Sequence, residues 1–205
     1  MSSAVNICSP GFGASCALCC GSHNYIAGPD DLDSIFSERS VVVKNFNRDY
    51  IVKHMTSSRS SMTGSYYYPE TRPFIITLPA REEASRKCPF VGYADDSHEA
   101  GCLLYPHKKV YGNMIDCYQN YRNKVFSCDS GKNLSDEEIL FAASLTGDWY
   151  YYSILIHSIE YLRILINKYP EQNAVNDEDL NQIKYDLQKL FESNPEYIRM
   201  ETYFS

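Results

Sequence analysis

The sequence predicts an α+β protein that is mostly helical, and three observations support this. The chain has 205 residues, of which 44% are hydrophobic and 22% charged, as in ordinary globular proteins and unlike disordered or fibrous ones. Residues 133–205 have helical periodicity, whereas residues 1–132 are punctuated by Gly, Ser, Pro and Asn. We therefore expect a single domain, 1–205, in which a loop-rich, cysteine-bearing N-terminal half (1–132) with a few short strands packs on a C-terminal helical scaffold (133–205).

Only short elements are expected in the N-terminal half. Pro29 fits the first position of a helix and acidic residues follow it, which predicts a short helix over residues 29–38. The β-branched run at 40–46 and the proline-bounded segment 73–78 predict strands, and a short helix is expected over 47–55. Residues 87–112 are expected to be a loop that carries two of the cysteines.

The C-terminal half contains clear helix boundaries. Ser135, with a glutamate three residues later, forms a capping box, and Gly147 ends the helix that begins there. Asp148 is expected to cap a second helix that runs to about residue 168, and Asn176 to cap a third. A last short helix is expected to start at Pro195.

Charge and hydropathy exclude two classes of partner. The net charge is −7, and the acidic excess lies in residues 133–205. Without a clustered basic patch, nucleic acid is not expected to be the main partner. Polar residues interrupt the longest apolar stretch, 149–166, so no membrane span is expected. The N-terminus lacks an export signal, which predicts a cytoplasmic protein with reduced thiols. The acidic half could face a protein partner, which the sequence does not identify.

The densest chemical feature is the run Cys16-Ala17-Leu18-Cys19-Cys20-Gly21. In a C-x-x-C spacing both sulfurs can bind one ion while the backbone turns between them, as in zinc knuckles and iron–sulfur corners. Because Cys20 is next to Cys19, its side chain is expected to point elsewhere, where it can bind a second ion, complete a cluster or pack as an apolar residue. The remaining thiols stand singly, at Cys8, Cys88, Cys102, Cys117 and Cys128.

The order of these segments resembles the YkgJ-type CxxCxxCC zinc- or iron-chelating cysteine-cluster proteins. Cys16, Cys19 and Cys20 match the last three cysteines of the first motif of that family. The later segments match in order, as Cys88-Pro89-Phe90, then Gly101-Cys102-Leu103-Leu104-Tyr105-Pro106, then Cys117. The family's first cysteine falls on Gly13, so Cys8 takes that role through a longer loop, and Tyr118 replaces the arginine that follows the family's last cysteine.

The resemblance implies zinc or an iron–sulfur cluster held by thiolates. The implied metal ligands are Cys8, Cys16, Cys19, Cys20, Cys88, Cys102 and Cys117. Two other functions remain open, namely a protein-modifying enzyme related to lysine N-methylases and a thiol redox protein. No methyl-donor motif and no catalytic residue can be assigned, so whether the protein is an enzyme stays undecided. The sequence does not decide whether any of four other residues is a ligand, namely Cys128, His23, His98 and His107. His157 is expected to be a hydrogen-bonded core or interface residue.

Overall fold

The structure is a computed structural model that describes residues 5–18, 21–45, 79, 91–93, 98–103, 128–170 and 175–194. These residues form six helices and one two-stranded antiparallel sheet, which confirms a mostly helical α+β fold. The elements are α1 (Pro29–Asn45), β1 (Val91–Tyr93), β2 (Ala100–Cys102), α2 (Asp129–Asn133), α3 (Asp136–Thr146), α4 (Trp149–His157), α5 (Ile159–Lys168) and α6 (Asp177–Ser193). The elements predicted at 47–55, at 73–78 and after Pro195 lie outside the described residues. No helix among the described residues combines the length and apolar character needed to cross a membrane.

The first helix is longer than predicted. The prediction of a strand at 40–46 is wrong over residues 40–45, which are helical. A single helix runs from Pro29 to Asn45. Phe36 and Ser40, one turn apart on its inner face, are buried, and the Ser40 hydroxyl accepts a hydrogen bond of 2.9 Å from the backbone N–H of Tyr93. This packing against β1 outweighs the β propensity of the valine run, which is a weak preference that tertiary contacts readily override.

The segment predicted as a loop at 87–112 contains the β-hairpin. Val91 pairs with Cys102 and Tyr93 with Ala100. A Cβ atom at Gly92 would lie 3.2 Å from the carbonyl oxygen of Phe36, so a glycine there lets the strand approach α1 closely. The strands have three residues each, and such short strands leave little periodicity in the sequence.

In the described part of the C-terminal half, the predicted helix boundaries at Ser135, Gly147, Asp148 and Asn176 are confirmed. The Ser135 hydroxyl accepts from the Glu138 N–H at 3.2 Å, and the Glu138 carboxylate accepts from the Ser135 N–H at 2.9 Å. Gly147 ends α3 with a left-handed φ of 62°. Asp148 and Asn176 cap α4 and α6 through their side chains.

The second predicted helix is interrupted at Ser158, so it forms α4 and α5. Ser158 has a non-helical backbone (φ −103°, ψ 58°), and its hydroxyl donates to the carbonyl oxygen of Ile154 at 3.0 Å. Serine side chains compete with helical backbone hydrogen bonds in this way. As a result, His157 becomes the last residue of α4.

The core lies around α4, which contacts α3, α5 and α6. Tyr152, Ile154, Leu155 and Ile156 on this helix are fully buried. The N-terminal loop packs on the same helix, because the Tyr152 hydroxyl donates to the Ile7 carbonyl oxygen at 2.8 Å and the Ser153 hydroxyl accepts from the Ala17 N–H at 3.4 Å. The described part of the cysteine-bearing half therefore sits on the helical scaffold, as predicted.

The Glu138–Arg163 ion pair provides a pH-dependent test of this scaffold. The hydrogen bond from the Arg163 side chain lowers the pKa of Glu138, and the Ser135 N–H lowers it further. A lowered carboxyl pKa stabilises the fold at neutral pH, and this stability is lost as the pH falls through that pKa. Glu138→Gln keeps an N3 residue that suits the capping box. Because Arg163 is half exposed, the ion pair should contribute little. We expect this variant to have a free energy of unfolding lower by about 0.2–1 kcal/mol at pH 7, and nearly the same as that of the unmutated protein at pH 3.

Urea unfolding at the two pH values measures this difference. Glu38→Gln, at an exposed position within α1, is the matched control and should change the free energy of unfolding by less than about 0.5 kcal/mol at both. A loss in Glu138→Gln that is equal at pH 7 and pH 3 would exclude the ion pair as its cause.

Candidate functional site

Three thiols lie near one another beside α4, two of them in the N-terminal loop and one at the start of α2. Cys8 is exposed, whereas Cys16 and Cys128 are partly buried, and none of the three forms a disulfide bond. The Cys16 N–H donates to the Cys8 carbonyl oxygen at 3.1 Å. Burial raises the pKa of the Cys16 thiol, and Cys8 and Cys128 are close enough to raise it further through like charge. These three residues form what we call the thiol cluster.

Two neighbouring features hold the thiol cluster in place. The Tyr152 hydroxyl fixes the backbone beside Cys8 through its bond to Ile7. Burial raises the pKa of Tyr152 as well, and the three cysteines add to that rise, so its hydroxyl lies within electrostatic range of all three. Cys128 is the N-cap residue of α2, and a Cβ atom at Gly131 would lie 3.5 Å from the Ile7 Cγ2 atom and 3.7 Å from the Cys128 Cβ atom. The start of α2 is therefore packed against the N-terminal loop.

His157 completes this group of side chains. Its Nε2 atom lies 3.7 Å from the Cys16 Sγ atom, and its Nδ1 atom lies 2.8 Å from the Ser130 hydroxyl. Surrounding protein atoms lower the pKa of His157 to about 4, a shift that Asp129 partly opposes. The imidazole is thus neutral at pH 7, with one N–H and one lone pair. Because the Cys16 thiol keeps its proton, we assign the lone pair to Nε2, facing the thiol, and the N–H to Nδ1, facing Ser130.

Two neighbours of Cys16 partly oppose the rise of its pKa. Burial and the other thiols raise the pKa of Cys16, whereas the backbone at Leu18 and, to a smaller extent, the Ser153 side chain lower it. Hydrogen bonds to sulfur from such neighbours are typical of the surroundings of metal-bound thiolates. The site thus contains groups that would stabilise a thiolate once a cation offset the charge.

The structure brings together two of the seven predicted ligands, Cys8 and Cys16. Four others, Cys19, Cys20, Cys88 and Cys117, lie outside the described residues. Cys102 contributes its backbone to β2, and its side chain is outside the described part. Where side chains are described, no three Cys, His, Asp or Glu groups lie at the spacing of a metal site.

The three histidines left undecided have different positions. His23 is buried and belongs to the core, because its ring nitrogens lie 2.8 Å from the Ser22 hydroxyl and 3.0 Å from the Tyr150 carbonyl oxygen. The ring of His23 also stacks on that of Tyr150 at a centroid distance of 4.4 Å. His98 is exposed and lies 3.6 Å from Asp33. His107 lies outside the described residues.

Sequence reasoning did not assign Cys128 and His157 to the site. His157 is hydrogen-bonded, as predicted, but its thiol neighbour was not foreseen. The one available signal was a histidine within an apolar helical segment, and that pattern more often marks a core residue. Cys128 stands alone in the sequence, without the C-x-x-C spacing that singled out Cys16.

Comparisons of this chain with protein-family models, with curated proteins and with solved structures each give no match. The fold and the site therefore define the class here, namely a mostly helical α+β protein with a cluster of thiols beside a neutral histidine.

Proposed function

We propose that the protein is a cysteine-cluster metal-binding protein that holds zinc or an iron–sulfur cluster through thiolates. The observation that carries the proposal is that thiols from two segments distant in the chain lie near one another. The Cys16 N–H donates to the Cys8 carbonyl oxygen in the N-terminal loop, and the start of α2, with Cys128, packs against Ile7 of that loop. Single buried cysteines are common packing residues, but packing alone gives no reason for three thiols to lie near one another. Soft thiolate ligands select zinc and iron–sulfur clusters over hard cations, so the donor set fits these groups.

The electrostatics of the thiol cluster support the same proposal. Without a cation, burial above all, and then the like charge of the neighbouring thiolates, disfavour ionisation of Cys16 and raise its pKa. A bound cation reverses this balance, because the thiols then lose their protons to form ligand bonds. Bound zinc would add folding energy, and a bound iron–sulfur cluster would add electron transfer. A cytoplasmic location, where thiols stay reduced, suits either group.

The remaining cysteines extend the proposal. By the resemblance to YkgJ-type proteins, Cys19, Cys20, Cys88, Cys102 and Cys117 are further ligands. Together with the thiol cluster they would enlarge one site or form a second one. Metal stoichiometry separates these two arrangements.

Anaerobic purification under reducing conditions, followed by metal analysis and a visible spectrum, tests the proposal. We expect stoichiometric zinc in colourless protein, or iron and sulfide with a broad brown absorbance. Cys8→Ser should lower the bound metal strongly, and because Cys8 is exposed this variant should keep the fold. Phe12→Ser, an exposed replacement in the same loop, is the matched control and should retain the metal.

Two results would overturn the proposal. One is metal-free protein with a reversibly oxidised thiol pair, which would favour a thiol redox protein instead. The other is metal retained at the unmutated level in Cys8→Ser, which would place the ligands elsewhere in the chain.

A further inference from the structure

We infer that Cys8 and Cys16 are a reversible modification site, at which a low-molecular-weight disulfide such as glutathione disulfide joins the two thiols in a disulfide bond and thereby releases the metal. This inference rests on the proposed function for the metal that is released, and it adds regulation of that site by the thiol–disulfide balance. The disulfide bond itself follows from the geometry of the N-terminal loop.

Cys8 and Cys16 lie opposite each other in a tight turn of the chain, residues 8–16, which we call the N-terminal hairpin. The ends of segment 11–14 form an antiparallel bridge, and its central residues, Phe12 and Gly13, have positive φ of 61° and 75°, as in the two-residue turns typical of hairpins. Beyond this turn, the Cys16 N–H donates to the Cys8 carbonyl oxygen at 3.1 Å. Residues paired in this way have Cα atoms about 5.5 Å apart, and a disulfide bond spans about 4.4–6.8 Å.

Two side chains of α4 hold the arms of the N-terminal hairpin. The Ser153 hydroxyl accepts from the backbone next to Cys16, and the Tyr152 hydroxyl donates to the backbone next to Cys8. The turn itself packs on the end of α3, where a Cβ atom at Gly13 would lie 3.0 Å from a backbone oxygen. Because both arms are held in the folded protein, each cysteine meets the other at a high effective concentration.

The two thiols differ in exposure, and this sets the order of the reaction. Cys8 is exposed, whereas Cys16 is partly buried with its Sγ atom 3.7 Å from the His157 Nε2 atom. An external disulfide therefore reaches Cys8 first, because thiol–disulfide exchange depends on access to the sulfur. Cys8 also raises the pKa of Cys16 more than Cys128 does, as expected for the thiol that lies nearer to it.

The reaction takes two steps and moves two electrons. The Cys8 sulfur attacks one sulfur of glutathione disulfide, whose S–S bond breaks, and one glutathione leaves as a thiol with the Cys8 proton. The Cys16 sulfur then attacks the Cys8 sulfur of this mixed disulfide, and the second glutathione leaves with the Cys16 proton. The two cysteines are thus oxidised, and one glutathione disulfide is reduced to two glutathiones. In the metal-loaded protein both sulfurs start as thiolates, and the departing thiolates take their protons from water.

Disulfide formation removes two of the proposed ligands in one reaction. A metal ion binds the thiolate form of cysteine, so the metal should leave as the bond forms. Reduction of the bond restores both thiols, and the site can then load again. The exposed position of Cys8 keeps the bond within reach of reducing thiols, which is typical of labile rather than structural disulfide bonds.

The first experiment maps the disulfide bond in the full chain. Reduced protein is equilibrated with glutathione and glutathione disulfide, and its remaining thiols are alkylated. Chymotrypsin then cuts after Phe12 and Leu18, which separates Cys8 from Cys16 and both from the next two cysteines in the sequence. Mass spectrometry of the unreduced peptides should show a bond between Cys8 and Cys16.

Three variants test the order of the two steps. Cys16→Ser should keep a stable glutathione adduct on Cys8, because the second thiol is missing. In Cys8→Ser, oxidation of Cys16 should be at least about tenfold slower than in the unmutated protein, since the neighbouring mixed disulfide no longer forms. Cys128→Ser removes a thiol outside the N-terminal hairpin, and as the matched control it should still form the Cys8–Cys16 bond.

The second experiment follows the metal. Glutathione disulfide is added to metal-loaded protein with a chromophoric chelator present, and metal release should parallel formation of the bond. Three results would overturn the inference but leave the proposed function intact: a bond from Cys8 to another cysteine, a glutathione adduct that persists on Cys8 in the unmutated protein, or metal that stays bound after the Cys8–Cys16 bond has formed. Reduced protein that binds neither zinc nor iron would overturn the proposed function and the release of metal, and the mapping would then decide the disulfide bond alone.

Discussion

Replacing Trp149 by alanine should lower the free energy of unfolding by about 3–5 kcal/mol, the range for removing a large buried aromatic side chain. Trp149 is 5% exposed, and its indole N–H donates to the Tyr93 hydroxyl at 2.8 Å. Its ring centroid lies 4.9 Å from that of Phe36 and 5.5 Å from that of His23. The Trp149 side chain thus connects the first turn of α4 to α1, to the hairpin and to the N-terminal loop. Its removal should therefore weaken the packing of all four parts.

Urea unfolding followed by far-UV circular dichroism measures this loss, since Trp149 is the only tryptophan in the chain and its replacement removes the fluorescence signal. Trp149→Phe keeps an aromatic ring but not the N–H, and should cost less than Trp149→Ala. Ile164→Ala removes a side chain that is 60% exposed, so its cost should stay within about 0.5 kcal/mol. If Trp149→Ala cost no more than Ile164→Ala, the ring would not connect these elements.

The parts of the fold that could be predicted are those fixed by local interactions. The Ser135 capping box, the left-handed Gly147 and the Asn176 cap each involve residues within one helical turn, so the sequence contains the whole signal. The full length of α1 could not be predicted, because residues 40–45 are helical through contacts with β1, which lies far along the chain. The interruption at Ser158 also escaped prediction, since nothing local distinguishes that serine from one tolerated within a helix.

The candidate site shows the same division between local and distant contacts. The thiol-rich character of the N-terminal half is visible in the sequence, and Cys8 and Cys16 were both among the predicted ligands. The positions of Cys128 and His157 depend on how α2 and the end of α4 pack against the N-terminal loop. That packing is a property of the folded chain, and single cysteines or histidines contain no signal for it.

Removing the proposed metal should destabilise the protein by about 4 kcal/mol where the free metal had been at a thousand times its dissociation constant. The reason is that the ion binds the folded site far more strongly than the unfolded chain, so its binding energy adds to the folding energy. Because Cys8 and Cys16 lie in the N-terminal loop and Cys128 at the start of α2, the loss should be uneven among the described residues. Hydrogen exchange should increase most in residues 5–18 and 128–133, and least in α3 and α6.

Thermal unfolding and hydrogen exchange, each before and after treatment with EDTA, measure the size and the place of this effect. EDTA already saturated with zinc controls for the chelator itself and should change nothing. In Cys8→Ser the shift caused by EDTA should shrink, because less metal is bound at the start. A uniform rise in exchange across all six described helices would mean that the ion stabilises the whole domain rather than the docking of the N-terminal loop. If EDTA left the melting temperature of metal-loaded protein unchanged, the metal would contribute nothing to the stability of the fold.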